Sequence, residues 1–306
     1  MADRRSIAVG MAALALLVAA CGSAEDAAPV LTTRAAITST TTPTAPATTT
    51  TTTPASTTVT STATTTTTVP TSGATDPPEW LGTRVLAIDE DGTVSPVPTP
   101  PELEDRRLRT QDLLPPPTGG FAATIDAVPG DVLARSTWHE GCPVALDDLR
   151  YVTVSFWGFD DQPHTGELVV NARYADDLAG VFAQLYEARF PVEEMRVVRS
   201  DELDAPPTGD GNNTTSFVCR QTTGGTSWSQ HAYGLAIDVN PFHNPYLRDG
   251  RVLPELATAY LDRGNARPGM IFDDDAVFAA FASIGWGWGG DFRSLVDYMH
   301  FSADDR

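Results

Sequence analysis

A long threonine-rich tract near the amino terminus limits how much of this 306-residue chain can fold into a core. Between Thr32 and Pro70, 22 of the 39 residues are threonine, and Arg34 carries the only charge. A segment of threonine, proline, alanine and serine offers no apolar face to bury, so it predicts a disordered stalk. About 230 residues then remain from which a folded unit can be built.

The charge balance of the chain is strongly acidic. Its 40 aspartates and glutamates exceed its 20 basic residues and leave a formal net charge of −20. A surface of this sign repels phosphate backbones, which excludes nucleic-acid binding by a basic patch. We therefore expect no nucleic-acid partner.

The first twenty residues have the pattern of an export signal. Arg4 and Arg5 precede the apolar stretch Ile7–Ala20, which is too short to span a bilayer comfortably. Small residues stand directly before Cys21, as in a bacterial lipobox, so we predict a lipoprotein signal peptide over 1–20 and lipidation of Cys21. Simple secretion after cleavage is the alternative. Lipidation would tether the chain to the outer face of the bacterial cytoplasmic membrane, within the cell envelope.

Composition divides the remaining chain into three parts. We assign 21–75 to the lipidated amino terminus and stalk, 76–130 to a proline-rich lead-in, and 131–306 to one compact domain. In the lead-in, proline clusters flank a single strand-like run, Arg84–Ile88.

Hydrophobic periodicity in the compact part predicts a mixture of strands and helices. The absence of a regular strand–helix–strand repeat favours an α+β fold with a small, mostly antiparallel sheet flanked by helices. The predicted strands are Tyr151–Phe156, Glu167–Asn171, Met195–Arg199 and Leu235–Asn240. One helix carries apolar residues from Leu178 to Tyr186 and is stopped by Pro191, and a second is capped at Asp273–Asp275 and closed by Gly285.

Two cysteines remain once Cys21 is assigned to a lipid. Cys142 and Cys219 form an even pair in an exported, oxidising setting, which favours a disulfide over two buried free thiols. Neither belongs to a Cys-x-x-Cys pair, so a thiolate metal site is not expected.

Only two of the five histidines have a carboxylate at a suggestive spacing, and we interpret His139, His164 and His243 as structural. His231 precedes Gly234 and Asp238, which predicts a histidine on a turn and a carboxylate on the following strand. Asp297 precedes His300 by three residues. Two imidazoles and one carboxylate suffice to hold a catalytic Zn²⁺, with a second carboxylate left to accept a proton. From spacing alone, an equally good interpretation is that these are structural polar side chains whose hydrogen bonds are satisfied within the fold.

The residues around these positions resemble one family. The pattern Ser-x-His-x-x-Gly-x-Ala-x-Asp over 229–238 is followed by Val-Asn-Pro, then by Trp-Gly-Trp-Gly-Gly-Asp over 286–291 and Asp-Tyr-Met-His-Phe over 297–301. This order is similar to that of the zinc D-alanyl-D-alanine carboxypeptidases and L-alanyl-D-glutamate endopeptidases of cell walls. The upstream segments 164–171 and 212–220 resemble the phage endolysin endopeptidase branch of that family. The likeness covers about 142–302.

The resemblance implies roles for individual residues. It implies that one Zn²⁺ is bound by His231, Asp238 and His300, and that Asp297 is the general base for the attacking water. Arg220 falls where the family has a basic side chain near the substrate, where it would stabilise the oxyanion, with a surface ion pair as its alternative. Three further side chains have open assignments: Ser229 contacts substrate, orients His231 or caps a turn; Trp286 packs in the core; Trp288 walls the cleft or supports the ligands.

The function implied is hydrolysis of peptide bonds in peptidoglycan stem peptides by a monomeric zinc peptidase. The bond would be either L-alanyl-D-glutamate or D-alanyl-D-alanine, and the endopeptidase branch is favoured. One alternative is a non-catalytic peptidoglycan-binding lipoprotein that keeps the fold. Another is a stalked interaction domain with a structural zinc, which an open His/Asp/His set disfavours.

Overall fold

The structure is a computed structural model that describes residues 73–90, 94–223 and 225–304. The predicted signal peptide, Cys21 and the threonine tract lie outside the described residues. None of the described helices combines the length and apolarity that crossing a membrane requires.

The described residues form the mixed α+β fold predicted from periodicity, with three α-helices among short strands. The helices are α1 (Gly130–Arg135), α2 (Ala175–Glu187) and α3 (Ala276–Ser283). The strands, in chain order, are β1 (Ala123–Asp126), β2 (Leu149–Trp157), β3 (Pro163–Asn171), β4 (Glu194–Met195), β5 (Asn213–Thr214), β6 (Ala236–Asp238), β7 (Tyr246–Arg248), β8 (Arg251–Leu253), β9 (Gly287–Trp288), β10 (Val296–Asp297) and β11 (His300–Ser302).

These strands form four small sheets rather than one. Three sheets are antiparallel, with the orders β1-β2-β3, β10-β7-β8 and β6-β11-β9, and a parallel pair joins β4 to β5. The two sheets that contain β6 and β10 carry the predicted site residues near the carboxyl end of the chain.

The main core lies between the β1-β2-β3 sheet and the helices. Along α2, Leu178, Val181, Phe182 and Leu185 are buried at helical spacing and face the buried side of β2. In α3, the Asp275 carboxylate accepts a hydrogen bond from the Phe278 backbone N–H at 2.9 Å, which confirms the predicted cap.

Two predicted strands differ from the structure, and in the first of them side chains take over the backbone donors. Met195–Arg199 is a strand only at its start: the Arg196 N–H donates to the Asn213 Oδ1, and the Val197 N–H donates to a Glu167 carboxylate oxygen. Arg84–Ile88 is not a strand, and Leu86 donates a single backbone bond to Pro207.

The carboxyl-terminal part of the predicted lead-in contributes to buried structure. β1 pairs along its full length with β2. Upstream, Leu103 and Leu108 are buried beside Phe242 and Tyr260 in a second apolar cluster. The contacts of this second cluster join residues well over a hundred positions apart, which local sequence patterns do not reveal.

Candidate metal centre

Local turn chemistry places His231 and Asp238 on one side of β6. The Ser229 hydroxyl accepts a hydrogen bond from the His231 N–H at 3.3 Å and caps a 3₁₀ turn over Gln230–Tyr233. Gly234 ends this turn at φ 66°, and a side chain on it would meet the Asn171 backbone nitrogen at 2.6 Å. The chain then enters β6, which ends at Asp238.

Strand pairing brings the carboxyl-terminal histidine to the same place. β11 runs antiparallel to β6, and its register sets His300 directly opposite Asp238. Three residues earlier, Asp297 lies in β10, which pairs with β7 in the neighbouring sheet. The motif Asp-x-x-His therefore links two sheets, and its two ionisable side chains converge on one cavity.

Three ligand atoms form a nearly equilateral triangle. His231 Nε2 lies 3.2 Å from Asp238 Oδ1 and 3.3 Å from His300 Nδ1, and His300 Nδ1 lies 3.1 Å from the same Asp238 oxygen. Zinc–ligand bonds of about 2.0–2.1 Å in tetrahedral geometry place ligand atoms about 3.3 Å apart. The spacing and the donor atoms therefore fit a zinc ion.

A backbone carbonyl determines which nitrogen of His231 is available. His231 Nδ1 donates to the Ser216 carbonyl oxygen at 2.6 Å, so the Nε2 of the neutral ring presents a lone pair. This lone pair faces both His300 and Asp238. Hydrogen bonding of this kind, from the other ring nitrogen, is typical of histidines that bind metals.

The charge state of Asp238 also suits a cation. Burial raises the pKa of Asp238, but the charge and hydrogen bonds that His231 and His300 supply in their protonated form outweigh this effect and lower the pKa below its usual range. A bound cation would act in the same direction with both rings neutral. Asp238 is therefore an ionised carboxylate, as a metal ligand must be.

Asp297 has the environment of a general base. Its Oδ1 is buried without a hydrogen-bond partner among the described residues. Burial raises the pKa of Asp297 to about 7, and nearby Asp238 acts in the same direction, while His300 and Arg220 lower it. A carboxyl group with a pKa near neutrality can both accept and return a proton.

A cavity of about 780 Å³ connects these groups. Its lining includes all three candidate ligands, Asp297 and Arg220. Arg220 is only half-buried, and its guanidinium donates to the Gln221 carbonyl oxygen at 3.1 Å. The predicted catalytic and metal-binding residues thus share one solvent-accessible space large enough for a peptide.

The three further side chains, Ser229, Trp286 and Trp288, take supporting positions. Ser229 lines the cavity and also caps the turn, so both of its local interpretations fit the geometry. Trp288 does not line the cavity. Its indole N–H donates to the Tyr298 carbonyl oxygen at 2.8 Å and so braces the turn between Asp297 and His300. Trp286 is buried in the main core, as predicted.

The predicted disulfide between Cys142 and Cys219 is present. It ties the segment that carries Arg220 to the loop around residue 140, and the Cys219 N–H donates to the Thr137 hydroxyl at 2.9 Å. His139 lies beside this disulfide, with its Nε2 3.7 Å from the Cys219 sulfur. Both sulfurs are used in the bond, so this group is not a thiolate metal site.

Two residues that sequence reasoning missed are important to the site. Ser216 acts through its carbonyl oxygen, which no side-chain pattern signals. Gly289 lies against the base: a side chain there would come within 2.5 Å of the Asp297 carbonyl oxygen and 2.9 Å of its Cβ. The glycine-rich run over 286–290 hinted at close packing but not at this contact.

Comparison with known proteins supports the resemblance drawn from the motifs. Residues 223–303 match a family model described as D-alanyl-D-alanine carboxypeptidase. The matched segment contains His231, Asp238, Asp297 and His300, whereas Arg220 and the disulfide lie before it. Comparisons with curated proteins and with solved structures give no match. The match supports a peptidase of the kind that acts on cell-wall peptides.

Proposed function

We propose that this protein is a zinc-dependent peptidase that hydrolyses peptidoglycan stem peptides. The observation that carries the proposal is the convergence of three potential ligand atoms in one cavity, beside a buried carboxylate whose Oδ1 has no hydrogen-bond partner among the described residues. His231, Asp238 and His300 would hold the ion. When bound, Zn²⁺ supplies a Lewis acid that acidifies water and polarises a carbonyl group.

The remaining chemistry belongs to side chains of this chain. Asp297 accepts the proton of the attacking water and returns it to the leaving amine. Arg220, on the same cavity, stabilises negative charge on the substrate oxygen as the carbonyl becomes tetrahedral. The Ser216 carbonyl and the Trp288 indole hold His231 and the 297–300 turn in place, so that little reorganisation is needed during the reaction.

The two branches of the family differ in the peptide bond that they cleave. We propose L-alanyl-D-glutamate endopeptidase activity, in line with the upstream motifs, with D-alanyl-D-alanine carboxypeptidase activity as the alternative. Digestion of purified peptidoglycan followed by mass spectrometry distinguishes them. Release of a terminal D-alanine indicates the carboxypeptidase, and separation of L-alanine from D-glutamate indicates the endopeptidase.

The Asp297→Asn variant tests the catalytic assignment. It should keep zinc and lose roughly a hundredfold to ten-thousandfold in kcat, which is the usual contribution of a general base. Asp291→Asn is the matched control, because Asp291 is exposed and does not line the cavity. Cleavage by Asp297→Asn at the parental rate would show that Asp297 is not the base. Wall binding without cleavage by the parental protein would favour a non-catalytic binding module.

We also propose that the enzyme is anchored through lipidated Cys21 at the outer face of the cytoplasmic membrane. The support is the lipobox-like sequence before Cys21 and the stalk composition that follows it. Changing Cys21 to serine should move the protein from the membrane fraction to the soluble fraction. Retention of the variant in the membrane fraction would refute the anchor.

A further inference from the structure

Three carboxylates line the cavity, and the proposed reaction uses two of them. Asp238 belongs to the ligand triangle, and Asp297 is the proposed base. Glu255 is the third, and neither the metal nor the proton transfer requires it. Its presence on the wall of a substrate-sized cavity therefore needs a separate explanation.

Glu255 lies on a wall that is otherwise mostly uncharged. The Leu256 N–H donates to the Gly209 carbonyl oxygen at 2.9 Å, which holds the segment containing Glu255 against the loop over 207–211. The cavity lining from these two segments consists of Pro207, Gly209, Gly211, Leu253, Pro254 and Glu255. Glu255 is thus the charged residue among the lining residues that these two segments contribute.

The carboxyl group of Glu255 has no cationic partner within the described residues. Glu255 is only 7% exposed, yet no arginine or histidine of that part of the chain forms an ion pair with it. Burial raises the pKa of Glu255, while its own backbone N–H and the charge of nearby Arg251 act in the opposite direction. Burying a carboxylate without a cation in direct contact is unfavourable, and a bound cation would offset that cost.

The surroundings of Glu255 indicate which kind of cation would pair with its carboxylate. A metal ion needs several ligands, and Glu255 belongs to neither group of potential metal ligands in the described residues. A primary ammonium group needs only a charged acceptor, and it gains most where water is largely excluded. A peptide that occupies the cavity can bring such a group either at its amino terminus or on a diamino-acid side chain.

We propose that Glu255 is a specificity-determining residue that binds an ammonium group of the substrate on the Pro207–Gly211 wall of the cavity. The inference rests on the proposed function, because it assigns part of the substrate to the same cavity. It predicts that the preferred stem peptides carry a free amino group, so that peptides with this group acylated are poor substrates.

The test uses the stem pentapeptide L-Ala-γ-D-Glu-L-Lys-D-Ala-D-Ala in four forms: unmodified, acetylated on the α-amine, acetylated on the ε-amine, and acetylated on both. For the parental protein, blocking the recognised amine should raise KM roughly tenfold to a hundredfold, with kcat little changed, since a hydrogen bond to a charged group is lost. The singly acetylated form that suffers the loss identifies the source of the ammonium.

The Glu255→Gln variant completes a double-modification cycle. It should lose the same factor on the unmodified peptide and lose nothing further on the peptide whose recognised amine is blocked. Glu187→Gln is the matched control, because Glu187 is exposed at the end of α2 and does not line the cavity. If Glu255→Gln does not fold, the acetylation series on the parental protein still decides the question.

Two results would overturn the inference. One is a parental KM that is unchanged by acetylation of either amine, and the other is an equal loss for Glu255→Gln on the free and doubly acetylated peptides. Failure of the proposed function looks different, because no form would be cleaved. In that case the dissociation constants of the four peptides, measured by calorimetry, are compared in place of KM. Weaker binding of the acetylated peptides supports the role of Glu255, and equal binding of all four forms, or no binding, refutes it.

Discussion

Two groups of buried histidines and carboxylates in this protein have similar compositions but different arrangements of their nitrogen and oxygen atoms. In the first, His231, Asp238 and His300 direct three lone-pair atoms at one point next to a cavity. In the second, which we call the Arg106 cluster, the polar atoms of Arg106, Glu193, Asn212 and His243 are paired with one another or with the backbone. The first group is built to receive a ligand, and the second holds the fold together.

The Arg106 cluster shows what a satisfied buried network looks like. Arg106 donates to both oxygens of Glu193, at 2.8 and 2.6 Å, and to the Asp210 carbonyl oxygen at 2.7 Å. His243 Nε2 donates to the Arg106 carbonyl oxygen at 2.9 Å, and its Nδ1 lies 3.2 Å from the Asn212 side-chain nitrogen. No lone pair of His243 is left for a metal. The convergence of three potential ligand atoms on one point beside a cavity, rather than the residue types, separates the two groups.

Removing one histidine from each group is the most sensitive test of this comparison. His231→Ala should lose stoichiometric zinc and at least roughly a thousandfold in kcat, because a metal ligand is removed. His243→Ala should be less stable but keep one zinc per chain. Elemental analysis and peptide hydrolysis measure both effects. Full zinc occupancy in His231→Ala would invalidate the ligand assignment.

Breaking the ion pair of the Arg106 cluster should have a large effect on stability alone. Glu193→Gln leaves the buried Arg106 guanidinium without its charge partner, and both side chains are at least nine-tenths buried. The expected loss is about 3–5 kcal/mol in the free energy of unfolding, measured by denaturant titration. Glu194→Gln is the control, since Glu194 pairs with Arg196 at a more exposed site. A change in zinc content in folded Glu193→Gln would contradict the separation of the two groups.

The Arg106 cluster should also make the stability of the fold sensitive to acid, through His243. Burial lowers the pKa of His243 from 6.5 to about 4, so the unfolded chain binds a proton in this range that the folded chain rejects. Stability should therefore fall as the pH falls from about 6.5 to about 4, by about 3 kcal/mol in total from this group. His243→Phe keeps an aromatic ring against Phe159 but cannot titrate. Subtracting its pH profile from that of the parent isolates the effect, and parallel profiles would exclude it.

Local patterns predicted the parts of this protein that local forces determine. The stripe from Leu178 to Leu185 and the Asp275 cap are helix signals that need no distant partner, and both helices are present. Of the strand predicted at Met195–Arg199, only Met195 lies in β4, because Asn213 and Glu167, distant in sequence, take over the backbone donors of the next two residues. Side-chain pairing across long separations was not visible in the periodicity.

The candidate site shows the same division. The ligand set came from a resemblance that covers the motifs around His231, Asp238 and His300, and the structure brings those side chains together. The alternative that these are merely structural polar groups was open from spacing alone, and the convergence of their three ligand atoms beside a cavity favours the metal site. The roles of the Ser216 carbonyl and of Glu255 depend on placement in the fold, so no motif indicated them. Likewise, the structural interpretation of His243 rested on its setting, whereas its partner Arg106 lies 137 residues away.

The smallest predicted effect comes from substituting a glycine rather than a charged residue. It tests whether the metal centre tolerates a displacement of its backbone as well as the rest of the fold does. Gly289→Ala would place a methyl group within 2.5 Å of the Asp297 carbonyl oxygen, so the 297–300 turn must shift. We expect a loss of about 1–3 kcal/mol in unfolding free energy and a fall in kcat, because the base and a ligand lie on that turn. Gly180→Ala is the matched control: Gly180 is exposed in α2 with open space around its Cα, so the same change should add up to about 1 kcal/mol of stability. Equal behaviour of the two alanine variants in hydrolysis would show that the position of the Asp297 backbone does not limit catalysis.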